Sequence, residues 1–241
     1  MIQPPASWPR TLTWITLIVL VALVCSGIRP YDRLTWYLEV FPVAIAFPLL
    51  YLTARRYPLT PMLYWLIGLH SLILIVGAHY TYARVPAGFW LQELFELSRN
   101  HYDRLGHIAQ GFIPAIAIRE ILIRSSPVKS GPWLAFLTVA TSLAVSACYE
   151  FLEWWVAVAA GVAADSFLAT QGDVWDTQWD MFLATCGAIA ADVDPPFHGE
   201  GLRVAVIRVA ASGADSISAG IRRLAYELAL ALIAQPGVTR Q

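Results

Sequence analysis

The sequence predicts an all-α fold, a polytopic transmembrane bundle of about six helices, on three observations. First, 58% of the 241 residues are hydrophobic and only 14% are charged, with a mean hydropathy of +0.58. Soluble domains of ordinary composition carry about a quarter charged residues. Second, about six apolar runs approach the roughly 20 residues needed to cross a hydrocarbon core of about 30 Å. Third, arginine, proline and tyrosine punctuate the gaps between the runs, as in Arg29-Pro30-Tyr31-Asp32 and Arg55-Arg56-Tyr57-Pro58. Alternating ten-residue runs of the kind a membrane barrel requires do not occur.

The spans predicted are Thr11–Ile28, Trp36–Ala54, Pro61–Ala83, Asp103–Ile123, Pro132–Trp155 and Trp175–Ala191. The first has one arginine ahead of it and no small-residue cleavage site, so it reads as a retained helix and not a signal peptide. The last is the least apolar, with a run from Met181 to Ala191 that stops at Asp192-Val193-Asp194-Pro195-Pro196. Residues 1–194 therefore form the membrane domain. Residues 195–241 read as an Ala/Arg/Ser tail, either a short amphipathic surface helix around Arg222–Leu228 or sequence from a shifted reading frame.

Charge sets orientation and excludes one class of partner. With the N-terminus inside, eleven of the sixteen Lys and Arg residues fall on the cytoplasmic side and five outside. That asymmetry favours cytoplasmic N- and C-termini. A net charge of −1 gives nucleic-acid binding no electrostatic support. Cys25, Cys148 and Cys186 lie in apolar runs at wide spacing, which suits packing between helices and not a disulfide frame.

Ionisable residues in or against apolar spans cost about 2.5–3.5 kcal/mol at the bilayer centre, so they need a reason. Under this topology three groups share the outer end. Asp103 and His107 are four apart on one helix face, with Gln110 a turn deeper. A carboxylate at Asp103 suits a helix N-terminus, whereas His107 lies too deep for capping. Glu150 and Glu153, with Ser146 a turn below, stand near a helix C-terminus where the dipole opposes them. They require a proton, a metal, or an arginine such as Arg99 or Arg104. Asp173, Asp176 and Asp180 form one stripe entering the sixth span, where Thr170 or Asp173 caps the helix and Asp180 lies beyond the reach of capping. His79 reaches the same end, His70 sits deeper in the third span, and His101 is expected to be exposed.

The motifs Tyr-Asp-Arg-x-x-His (102–107), Tyr-Glu-x-x-Glu-Trp (149–154) and Thr-Gln-Gly-Asp-x-Trp-Asp-Thr-Gln-x-Asp-Met (170–181) resemble the YjdF-like family of bacterial inner-membrane proteins. More distantly, their order is similar to VanZ-like proteins, which are associated with glycopeptide-antibiotic resistance at the cell envelope. The resemblance implies an inner-membrane location and singles out Asp103, Arg104, His107, Glu150, Glu153, Asp173, Asp176, Thr177, Gln178 and Asp180. It implies no reaction. The similarity fades after Gly187-Ala188, where relatives are expected to continue an apolar helix.

Three readings follow from these residues. One is a cell-envelope enzyme acting on a lipid-linked substrate, with His107, Glu150, Glu153 and Asp180 in acid–base roles. In this reading a divalent metal is held among Asp103, His107, Glu150, Asp173, Asp176 and Asp180. A second is an accessory or structural membrane protein with an ion-paired core. The third, a small proton-coupled transporter, is weakened by the lack of an inverted repeat and of midplane acids. Convergence of carboxylates and His107 on an open pocket would favour the first; a closed arginine–carboxylate network would favour the second.

Overall fold

A computed structural model describes residues 9–161 and 165–193; the expectations for the 195–241 tail lie outside them. The described residues are helical and loop, with no strand. The order is α1 (Arg10–Ser26), α2 (Arg33–Ala54), α3 (Pro61–Tyr80), α4 (Pro86–Leu94), α5 (Tyr102–Ser125), α6 (Pro132–Ala160), α7 (Asp165–Leu168) and α8 (Asp176–Val193). Of these, α2, α3, α5 and α6 are long and apolar enough to cross a membrane. The predicted spans coincide with α1, α2, α3, α5, α6 and α8. The short α4 falls in what read as a loop, and its exposed Phe89, Trp90, Leu91 and Leu94 suit an interfacial helix.

Local chemistry sets the boundaries. The Asp32 carboxylate accepts from the Thr35 N–H at 2.7 Å to cap α2, and Thr60 caps α3 ahead of Pro61. Thr81, at φ 63°, ends α3 and turns the chain toward α4.

The distribution of side chains is that of a protein solvated by lipid. Leu20, Val24, Tyr37, Leu52, Trp65 and Phe136 are exposed, whereas Glu39, Asp103, Arg104, His107, Glu150, Asp176 and Asp180 are buried. Trp154 and Trp155 project outward, as expected of interfacial anchors. Cys25 and Cys148 also face outward, so packing between helices describes at most the half-buried Cys186.

One apolar cluster joins α1, α2 and α3 through Leu12, Ile15, Val19, Val43, Phe47, Tyr64 and Ile75. A second joins α3, α5 and α8 through Leu63, Ala115, Ile116, Ala188 and Ala191. The closest helix pair is α5 with α8. A Cβ on Gly111 would lie 1.8 Å from the Ala184 carbonyl oxygen, and one on Gly187 would lie 2.3 Å from the Ile108 carbonyl oxygen. Glycine is required at both positions, as in close transmembrane packing generally. His107 and Asp180 stand one turn before Gly111 and Ala184, so this contact brings the first turns of α5 and α8 face to face.

Candidate functional site

The starts of α5 and α8 and the last turns of α6 bring the three predicted polar groups together at one end of the bundle. They divide into two parts with different partners.

The first part is a closed network. Arg99, just ahead of α5, contacts Asp176 at 2.7 Å, Asp173 at 3.3 Å and the Ala169 carbonyl at 3.3 Å. Arg104 contacts Asp173 at 2.9 Å and lies over the Trp179 ring. Asn100 and Gln171 lock the same two loops reciprocally: the Asn100 N–H donates to Gln171 Oε1, and Gln171 Nε2 donates to the Asn100 carbonyl. Asp173 also receives the Trp175 N–H, closing the turn that leads into α8. In the contacts described, the arginines thus pair with the aspartates of the third motif. Asp173 and Asp176, expected among the metal ligands, lie in ion pairs with these guanidinium groups.

The second part is open to a cation. Asp103, His107 and Asp180, all buried, each offer one atom within 4.8 Å of the others. His107 Nε2 lies 3.5 Å from Asp103 Oδ1 and 3.6 Å from Asp180 Oδ1. Its Nδ1 meets Gln110 Oε1 at 2.8 Å, and with the amide oxygen as acceptor Nδ1 carries the proton. Nε2 is then the ring atom facing the two carboxylates. It can share a second proton with them or give its lone pair to a metal. The gaps exceed the about 2.7–2.9 Å of a charge-assisted hydrogen bond. They lie near the roughly 3.0–3.4 Å between neighbouring ligands that metal bonds of about 2.1 Å impose. Asp180 Oδ1 and both Glu150 oxygens are enclosed without a formed hydrogen bond; Thr177 is the hydroxyl beside Glu150. Ser146, buried a turn below Glu150, has an enclosed hydroxyl likewise without a partner.

Asp103 and His107 open onto a cavity of about 400 Å³ whose polar end also carries Glu39, Tyr82, Tyr149 and Glu153. Glu39 is buried and accepts from the Tyr149 hydroxyl at 3.1 Å. It is missing from the three predicted groups although the rule that found them applies to it: it is a carboxylate inside an apolar span. Tyr82 reaches the site from the bend after α3, a placement with no sequence signature.

The remaining histidines separate. His79 Nδ1 meets the Ser26 carbonyl at 2.8 Å, ties α3 to the end of α1 and stays out of the cavity. His70 lines the cavity at mid-depth. His101, expected to be exposed, has both ring nitrogens enclosed without partners. Burial, with Arg104 and Arg99 nearby, pushes it down to about 4.

The chain is 54% identical over 181 residues to "Inner membrane protein YjdF" of Escherichia coli strain K12, covering 75% of this chain and 87% of that protein. No solved structure matches. With its helices and polar motifs inside the matched residues 11–193, the chain belongs to the family described as "Predicted membrane protein (DUF2238)".

Proposed function

We propose that this protein is an inner-membrane enzyme of the cell envelope acting on a lipid-linked substrate, with Asp103, His107 and Asp180 holding a divalent cation. The observation that carries the reading is the position of His107. Gln110 fixes its Nδ1, and its Nε2 faces two buried carboxylates at separations suited to a shared ion. Glu150 and Glu153 are the acid–base groups beside that centre, and the adjoining cavity gives a substrate access to it. The name of the Escherichia coli relative supports the inner-membrane setting. The arginine count favours a site on the outer face, with both termini in the cytoplasm.

The accessory or structural reading is favoured by one specific observation, the closed network of Arg99 and Arg104 with Asp173 and Asp176. That network fixes the loops ahead of α5 and α8 and so supports the centre.

Metal content by mass spectrometry on detergent-purified protein tests the proposal. Near-stoichiometric divalent metal is expected in the wild type and in Glu153→Gln, and its loss in His107→Ala and Asp180→Ala. A wild type that takes up no divalent metal at micromolar supply overturns the metal assignment and leaves the ion-paired core as the reading of the cluster.

A further inference from the structure

The cavity is far larger than an ion site needs and changes character along its length. Its volume of about 400 Å³ is in the range of small-molecule sites, about 300–1,000 Å³. Beyond the polar end its walls are Val43, Leu50, Ile67, Leu74, Ile113 and Pro114. On α2 the lining runs from Glu39 to Leu50, and on α5 from Asp103 to Ala117. At 1.5 Å per helical residue these stretches descend about 17–21 Å, more than half of a hydrocarbon core of about 30 Å.

The cavity also has a side opening. Leu49 of α2 and Val145 of α6 both line it, yet they are 53% and 47% exposed. α2 packs on α3, α6 packs on α5 and α8, and the short α7 touches both α2 and α6, which do not pack along each other. The hydrogen bond from Tyr149 to Glu39 bridges them at the polar end. Pro42 and Pro114 line the cavity too, and each deletes a backbone hydrogen bond inside its helix and prevents straight close packing there.

We infer that this cavity takes the hydrocarbon chain of a membrane lipid, admitted sideways between α2 and α6, with a headgroup bearing hydroxyl or amine donors at the carboxylate end. The chain fits because the walls are apolar and the opening faces other lipid chains. The headgroup assignment follows from the polar end, where Glu39, Asp103 and Glu153 supply acceptors and the nearby arginines are paired with Asp173 and Asp176. Without a bound cation, a bare phosphate would meet acceptors only there. His70 adds one enclosed nitrogen, Nε2, without a protein partner at mid-depth, where the upper, more polar part of a lipid can meet it. The inference names the substrate class of the proposed enzyme and rests on that reading only for what happens at the headgroup.

The test uses the full chain in phosphatidylcholine vesicles doped with an alkyl glucoside whose tail carries a photoreactive diazirine. Adducts read by peptide mass spectrometry are expected on the cavity faces of α2 and α5, around Ala46 and Ala117, and excess unlabelled glucoside removes them. Ala46→Trp and Ala117→Trp fill the cavity and cut those adducts several-fold, without changing adducts on the outward faces around Leu20 and Phe136. Unsaturable labelling of the outward faces alone overturns the inference, and this holds in the wild type even if the tryptophan variants fail to fold. In protein stripped of metal by a chelator, an alkyl phosphate probe that labels the cavity as strongly as the glucoside overturns the headgroup assignment. Asp180→Ala, at a residue outside the cavity lining, is expected to keep the saturable adducts. Loss of metal with adducts retained in that variant separates the two proposals, since metal absent from the wild type would sink only the first.

Discussion

Gly111 and Ala184 touch backbone to side: a single added carbon on Gly111 would sit 1.8 Å from the Ala184 carbonyl oxygen. The separation of α5 from α8 is therefore set by the absence of a side chain. Because His107 and Asp180 lie one turn away on the same two helices, the same contact sets their 3.6 Å approach. Gly111→Val is expected to push the helices apart. Overpacking of this kind costs about 1–3 kcal/mol or more, and the thermal midpoint in detergent should fall together with metal content.

Gln110 acts on the same pair through the other face of the imidazole. Gln110→Leu keeps the volume but removes the acceptor for Nδ1, so His107 is free to turn or change tautomer. Groups that orient a metal-bound histidine are worth about 10–100-fold in affinity. A weakening in that range, with an unchanged thermal midpoint, is expected from competition against a chelating dye; an unchanged affinity would remove Gln110 from the site.

Arg99 belongs to the supporting network and should behave differently. Its guanidinium and the Asp176 carboxylate are 8% and 7% exposed, and removing one partner of a buried pair costs about 3–5 kcal/mol. Arg99→Ala should therefore unfold well below the wild type. The double variant Arg99→Met with Asp176→Leu should recover much of the loss, because it leaves no orphaned charge.

Acid should destabilise the protein through His101. Burial first, then Arg104 and Arg99, lower this histidine from 6.5 to about 4, with Asp103 and Asp173 acting weakly in the opposite direction. Above pH 6.5 neither state binds the proton and stability is unaffected. Between about 6.5 and about 4 the unfolded chain takes a proton that the folded one refuses, so stability falls as pH falls. Thermal midpoints at pH 7.5, 6 and 5 should decline in the wild type and decline less in His101→Gln. Equal slopes would clear His101 of the effect.

Glu39 is the residue by which the bundle's open side is held. Glu39→Leu strands the Tyr149 hydroxyl, a loss of about 1–3 kcal/mol for a buried donor without a partner. Glu39→Gln keeps an acceptor and should keep most of the stability.

The fold was legible because a membrane span is a pattern of length and hydropathy, both carried by the chain itself. Asp103 with His107 was legible for a similar reason: four-residue spacing on a helix is fixed before any tertiary contact forms. What the sequence did not carry was the choice of partners across helices. Arg99 and Arg104 were equally able to meet Glu150 or Asp176, and only the placement of the loops ahead of α5 and α8 decides between them. Glu39 lay far from the other acids in the chain and joined them through packing. The burial of His101 likewise depends on two arginines whose directions are tertiary. The turn after α3, which swings Tyr82 under the site, rests on one residue of positive φ at Thr81, a conformation that threonine does not advertise.

The pairing of the two arginines with two aspartates has a consequence for how the bundle assembles. Those four charges cancel, so the scaffold ahead of α5 and α8 is electrically complete as built. In the contacts described, the neighbouring Glu39, Asp103, Glu150 and Glu153 pair with no arginine or lysine, and Asp180 faces His107 with Arg104 nearby. A low-dielectric interior does not tolerate such an excess uncompensated. Under the metal assignment proposed above, the folded bundle gains stability with the supply of divalent cation, a dependence that the apolar remainder of the protein does not share.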